Sequence, residues 1–363
     1  MQVPGTVRLF NQIMGGVMNQ KLIEELTNIH AATSEEPALH SLITKELSDY
    51  VDEIKTLKNG SIYALKKGKP GKYSLMLDAH LDEVALFVTG ITEEGFLRVH
   101  TKSIDLKVLP GSIVCVHGEQ EFKGVIGLKP YHLESEEETK KAIPIDKLFV
   151  DCGMDKEIVE KLIPIGSSIT FMPGFSSLNK LISNKSLDDR AGVYTVIEVL
   201  KSLTRKLPLI NIIGHFSSQE EITGLGATTS TYALKPDFAI AIDATFGSSP
   251  NESERKTFKM GKGPVIFVGP SSNRIINKKL FTVADKFNIH LQQEIGTLSG
   301  TDATEIQLVG NGVPVGIISI PLRYMHTPIE VIDPTDVDKT VNLLSLFIEE
   351  IDATFLEAFY GEY

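Results

Sequence analysis

The sequence predicts an α/β protein with a mostly parallel central sheet, helices on both faces and a small β-rich insert. Three observations predict it. Four apolar runs, YSLMLDAHLDE, LINIIGHFSSQEE, DFAIAIDAT and VGIISIPLRYMH, are nearly continuous in aliphatic residues, as strands buried on both faces are. Apolar residues before and after them recur at helical spacing. Between Phe87 and Ser177 that alternation gives way to short runs, FLRVH, GSIVCVHG, EFKGVIG and SSITFMPG, separated by Gly, Pro and charged turns, as in a small barrel or sandwich.

Along the chain, Leu22, Ile23, Leu26 and Ile29, then Leu39, Leu42, Ile43 and Leu47, predict two helices ahead of the first strand. Ser34, followed by Glu35, Glu36 and Pro37, reads as an N-cap and first turn. After Leu178 the helix and strand alternation resumes. It ends in one long helix from about Pro334 to Phe359, with Val337, Val341, Leu344, Ile348, Ile351 and Phe355 on one face. The main domain is therefore expected to be discontinuous, residues 1–86 and 178–363, with residues 87–177 inserted. The 363 residues exceed the roughly 250–300 over which one core keeps growing, in keeping with a second, smaller unit.

Composition narrows the function. The 47 acids outnumber 36 Lys plus Arg for a net charge of −11, and the basic residues form no stripe, which excludes a nucleic-acid footprint. The longest apolar runs fall far short of the ~18 residues of a membrane helix, and the first twenty residues lack a secretory pattern, so a cytoplasmic protein without membrane partners is expected. Cys115 and Cys152 are the only cysteines and form no CxxC, which reads as two reduced core cysteines and excludes a disulfide scaffold or a thiolate zinc site.

All four apolar runs end in acids or histidine. In open parallel sheets ligands collect beyond the carboxyl ends of the strands, so His80, Asp82, Glu220, Glu221, Asp243 and His326 are directed to one crevice. Singly, each has a plain explanation: a lone histidine is ordinarily hydrogen-bonded or on the surface, and paired acids such as Glu220–Glu221 or Asp188–Asp189 favour helix N-termini. Together they do not, because several carboxylates in one crevice repel unless a cation neutralises them. Histidines beside carboxylates suit zinc, cobalt or manganese.

The segments DAHLDE, KSLDDRAG, SQEE, AIDAT, GTDAT and RYMHTPIEV, in that order, resemble the two-metal aminopeptidases that include glutamyl and deblocking aminopeptidases, the TET peptidases, some of whose relatives carry the label endoglucanase. The resemblance covers nearly the whole chain, including the insert segment GVIGLKPYHLESEEETKKAIPIDKLFVDCG. It implies a di-zinc exopeptidase-like main domain with a PDZ-like, dimerising insert, two divalent ions per chain and peptide substrates. Dimers, and commonly a shell of twelve subunits, are also implied. One ion would be held by His80, Asp188 and Asp243 and the other by Asp188, Glu221 and His326, with a cis peptide between Asp188 and Asp189. Asp82 would accept the free ring N–H of His80, and Glu220 would be the general base of peptide hydrolysis.

If Glu220 and Glu221 lie in extended backbone, they point opposite ways, leaving one to ligate and its neighbour to carry a proton. The chain departs from the family pattern at Ala85, where Gly is usual, and at Thr223 and Leu225, where Gly and Arg are common. Residues 296–304 and Arg323 are expected near the substrate pocket. A di-metal deacylase or carboxypeptidase is the alternative reading. A glycoside hydrolase leaves the histidines without a role and has no Trp for sugar stacking, and a non-catalytic assembly protein would lack the ligand set.

Overall fold

A computed structural model describes residues 18–360, except 70, 134, 136–142, 205, 251, 254 and 255. Eleven strands form one sheet. At its centre, strands Asn211–Ser217, Ser74–His80, Phe238–Phe246 and Val315–Arg323 run parallel in that spatial order. Antiparallel strands flank this centre: Ile62–Lys66 and Glu53–Thr56 on one side, Glu330–Ile332, Leu181–Asn184 and Ser176–Leu178 on the other. The parallel strands are those whose apolar runs are continuous, because only they are covered on both faces.

Side-chain alternation then decides where the chemistry goes. Leu75, Leu77 and Ala79 pack into the larger core, with Ile212, Phe216, Phe238, Ile240 and Ile242, under the helices Leu187–Ser202, Arg274–Lys286 and Pro334–Glu349. Met76, Ile213, Ala239 and Ala241 face the other way and meet Ala227, Ala303 and Ile306 of two short helices. With a period of two, Asp78 and His80 follow Met76, His215 follows Ile213, and Asp243 follows Ala241 on this same thinly covered face. Each strand is thus apolar at its start and chemical at its carboxyl end on one face.

Six further strands close into a barrel: Leu86–Ile91, Leu97–His100, Phe149–Asp151, Glu121–Gly127, Ile113–His117 and Ser168–Phe171. The barrel has its own core, with Leu86, Val88, Leu97, Val114, Val116, Ile126, Val150 and Ile169, to which Val159 of the helix Lys156–Leu162 adds. The runs FLRVH, GSIVCVHG, EFKGVIG and SSITFMPG supply four of its strands.

Two local expectations are corrected. Ser34 is not an N-cap: it takes φ +80°, and Glu36–Leu39 forms a 3-10 turn leading into the helix His40–Leu47. Glu36 is buried there and accepts the backbone N–H of Gln219 at 3.1 Å, so the turn serves the Glu220 loop. The C-terminal helix is two helices, Pro334–Glu349 and Ala353–Tyr360. Asp352 separates them, its side chain accepting the N–H of Phe355 at 2.8 Å, and the bend brings Phe355 and Phe359 onto Phe238.

Arg190 ties these layers together. Fully buried on the helix Leu187–Ser202, it donates from Nε to the Leu81 carbonyl at 3.0 Å and from Nη1 to the carbonyls of Leu26, 2.5 Å, and Ile29, 3.3 Å. Beside it Lys185 and Ser186 donate to the buried Glu83 carboxylate at 2.6 to 2.7 Å. Arg190→Ala should lower unfolding stability by about 3 kcal/mol or more, read from urea melts, because three buried carbonyls lose their donor and Glu83 loses a second nearby positive charge.

Candidate metal centre

Asp188 sits at the centre of the crevice. Its Oδ1 lies 3.3 Å from His80 Nε2 and its Oδ2 lies 3.5 Å from His326 Nε2. His326 Nε2 is also 3.4 Å from Glu221 Oε1, and His80 Nε2 is 3.9 Å from both Asp243 Oδ1 and Glu220 Oε2. His80, Asp188, Asp243, Glu220, Glu221 and His326 therefore converge, from four strand ends and the start of one helix. The Asp188–Asp189 peptide is cis. Three groups have donor atoms all within 4.8 Å of one another: His80 with Asp189 and Asp243, His80 with Glu220 and Glu221, and Asp188 with Glu221 and His326. Asp189, given no role from the sequence, enters the first.

The surroundings aim these donors. His80 Nδ1 faces the Asp82 carbonyl at 3.0 Å and the Asp82 carboxylate at 3.5 Å, turning Nε2 into the crevice. The Asp82 carboxylate itself accepts the N–H groups of Glu220 at 3.0 Å and Glu221 at 3.2 Å and the Thr33 hydroxyl at 2.7 Å. Its reach is thus to the loop bearing the acid pair as well as to His80. That loop is a turn and not extended backbone. Asp82 gathers both amides into one carboxylate, and the two side chains diverge from the turn: Glu220 toward His80, Glu221 toward His326.

Several contributors were invisible in the sequence. Glu330 is buried, and its carboxylate accepts the backbone N–H of Asp188 at 3.0 Å and of His326 at 2.7 Å, holding both ligand-bearing segments. Ser103, from the barrel segment, offers its carbonyl to His326 Nδ1 at 2.8 Å and donates its hydroxyl to the Glu221 carbonyl at 3.0 Å. Beneath the crevice His215 Nδ1 meets Asp78 Oδ1 at 2.5 Å, and Ser217 donates to Asp302 at 2.6 Å. Motif order pointed to Asp302 and Glu330 only as members of GTDAT and PIEV. Of the expected pocket residues, Thr301, Asp302 and Ala303 are buried, and Arg323 donates to the Ser248 carbonyl at 2.6 Å.

The charges of this site are under strain without a cation. Burial, reinforced by Asp188 and Asp189, raises the Asp243 carboxyl well above the usual carboxylate range, and burial does the same for Glu221 against the opposing charge of His326. Burial raises Glu220 to about 7. Burial would raise Asp188 too, but the facing His326 and His80 rings hold it well below that range. Those rings in turn are held high, His326 at about 10, although burial alone would lower them. Asp188 Oδ1 and Asp189 Oδ2 are buried without a hydrogen-bond partner. Orphaned carboxylate oxygens beside imidazole nitrogens are what a divalent cation of the zinc, cobalt or manganese type would coordinate, so the residues fit such ions.

Glu330→Gln should weaken Zn2+ binding by about 10- to 100-fold with little change in secondary structure, as loss of a group that orients ligands does. Competition with a chromophoric chelator measures it.

Known proteins resemble this chain over most of its length. The profile of the family described as M42 glutamyl aminopeptidase matches residues 60–343. A lysyl aminopeptidase of Pyrococcus furiosus is 35% identical over 323 residues, covering 86% of this chain and 91% of that protein. Among solved structures, the TET aminopeptidase of a marine sediment archaeon of the Thaumarchaeota superposes with a TM-score of 0.89 at 26% identity, covering 93% of this chain and 98% of that one. The TET1 peptidase of Pyrococcus horikoshii, which can assemble into a tetrahedron or a large octahedral shell, gives a TM-score of 0.81 at 32% identity over 91% of this chain and 99% of that one. With that profile matching most of the chain and a relative 35% identical over 86% of it, the chain belongs to the M42 glutamyl aminopeptidase family.

Proposed function

We propose that this aminopeptidase removes N-terminal residues from peptides with two divalent ions, and that Glu220 is its general base. The observation that carries the reading is the Asp188 carboxylate set between His80 and His326, one oxygen toward each, with Glu220 3.9 Å from His80 Nε2. His80, Asp188 and Asp243 would hold one ion, with Asp189 also in reach, and Asp188, Glu221 and His326 the other; zinc, cobalt and manganese all suit these donors. Bound there, such ions acidify water and polarise a scissile carbonyl.

The protein's own groups do the rest. Glu220, mostly buried at the crevice with 15% of its side chain exposed, takes the proton of the attacking water and delivers it to the leaving amine. Asp82 fixes the backbone of Glu220 and Glu221 together, keeping the base and the ligand in register. The Asp82 and Ser103 carbonyls fix the tautomers of His80 and His326 so that each presents Nε2 inward. Glu330 stiffens the two segments that carry Asp188 and His326.

Assembly follows from similar reasoning. Ile113, Val125 and Leu133 of the barrel region are exposed apolar residues, as are Leu225 and Tyr232 on the helix Leu225–Leu234. We assign the first set to dimer formation and the second to a larger homo-oligomeric shell. Leu225 and Thr223, which replace the family's usual Arg and Gly, therefore lie on an outer surface and not among the ligands. Among the described residues no helix is long and apolar enough to cross a membrane.

Elemental analysis of gently purified protein should approach two metal ions per chain, and thorough chelation should abolish hydrolysis of short peptides. Full activity of the demetallated protein would overturn the proposal. Peptides with a free amino terminus should be cleaved and their N-acetylated counterparts spared; the reverse preference would favour the deacylase reading. Glu220→Gln should keep both ions and lose about 100- to 10,000-fold in turnover, whereas Glu221→Gln should lose or weaken one ion. Light scattering should show an assembly of at least two chains at micromolar concentration.

A further inference from the structure

A second cluster of ligand-type side chains lies away from the crevice, on the hairpin of strands Ile113–His117 and Glu121–Gly127. Val114 and Val116 point into the barrel core, so Cys115 and His117, which alternate with them, point to its outside. Glu121 is paired directly with His117 across the hairpin. The Cys115 thiol, a His117 ring nitrogen and a Glu121 carboxylate oxygen all lie within 4.8 Å of one another.

This face is covered. Cys115 is 2% exposed, and Thr170, its partner on the next strand, is fully buried. His30, from the loop after the first helix, closes over it: its ring meets that of His117 edge-on at 5.1 Å, and the Thr170 hydroxyl lies 2.7 Å from His30 Nδ1 and 2.9 Å from His117 Nε2. Glu121 is exposed and leaves the cluster open to solvent on one side. A nucleophilic role for the thiol does not suit the place, because burial and the Glu121 carboxylate push Cys115 up to about 11.

We infer that Cys115, His117 and Glu121 form a third divalent-metal site, of the zinc or cobalt class, separate from the catalytic carboxylates. One thiolate, one imidazole and one carboxylate are the donors such ions take in four-coordinate sites, with solvent free to fill the fourth place. The donor separations need only small side-chain rotations to reach the roughly 3.3 to 3.8 Å edges of a tetrahedral site, and Glu121 has the room to make them. From the sequence, the absence of CxxC spacing reads as excluding any thiolate zinc site, and that exclusion is too broad. Spacing alone cannot exclude one thiolate completed across a hairpin by His117 and Glu121, a juxtaposition that depends on strand register. An ion here would lock the hairpin whose outer face packs on His30 of the main domain.

Cobalt(II) distinguishes this site from the catalytic one, which has no sulfur donor. Full-length protein saturated with Co2+ should show a thiolate-to-cobalt charge-transfer absorption and bind three ions per chain. Cys115→Ser should remove that absorption and one ion while peptide hydrolysis persists, and Cys152→Ser should leave both unchanged. Should Cys115→Ser fail to fold, the exposed change Glu121→Gln still decides the matter, with cobalt affinity read from the same absorption expected to fall at least about tenfold. Absence of the absorption at saturating Co2+, its survival in Cys115→Ser, or an unchanged affinity in Glu121→Gln would overturn the inference.

Discussion

Mutual repulsion among buried carboxylates is the constraint on which the rest of this structure depends. Asp82, Asp188, Asp189, Asp243, Glu221 and Asp302 are all buried around a few ångströms of crevice, with Glu220 mostly buried at its edge. Burial raises Asp189, Asp243 and Asp302, and in a medium that screens poorly the neighbouring carboxylates raise them further. The fold answers with donors: two histidine rings at Asp188, two amides at Asp82, two amides at Glu330 and a serine at Asp302. Among the described residues no arginine or lysine enters the ring of contacts around Asp188; Arg190 and Lys185 bind carbonyls and Glu83 below it. The site is thus built to receive positive charge rather than to neutralise itself.

Burying such a set is feasible because the sheet divides its labour along each strand. The face of Met76, Ile213, Ala239 and Ala241 is apolar at the strand beginnings and polar at their ends, so one period-two pattern supplies both the packing under the short helices and the floor of the crevice. The opposite face stays apolar throughout and carries most of the core. Stability and chemistry are separated by half a residue period rather than by separate segments of chain.

What the sequence made legible was whatever is written locally. Continuous apolar runs gave the central strands, their terminal residues gave His80, Asp243 and His326, and the order of short motifs gave the family. What escaped it depends on distant partners. Glu330 reads as an ordinary acid in a short strand until its two amide donors, 142 and 4 residues away, are seen. Asp82 was expected to serve His80 alone, because the turn that brings two more amides to it is set by the distant Glu36, which holds the N–H of Gln219. The long C-terminal periodicity hid its break, since Ile351 and Phe355 stay in phase with the helix before them while Asp352 starts a new one. Ser34 failed as a cap for the same reason: a carboxylate, and not a hydroxyl, organises that turn.

Ser103 joins the barrel to the chemistry. Its carbonyl orients His326, its hydroxyl steadies Glu221, and next to it Lys102 donates to the Ile222 carbonyl. The barrel has its own closed sheet and its own core, the usual credentials of a portable module. Yet it is not portable. A transplant that exchanged it for another closed sheet would strip the crevice of an acceptor and a donor, so a replacement would have to rebuild that short segment atom for atom. The barrel's attachment to the chemistry therefore rests on the few residues, Lys102 and Ser103, that lean over the crevice.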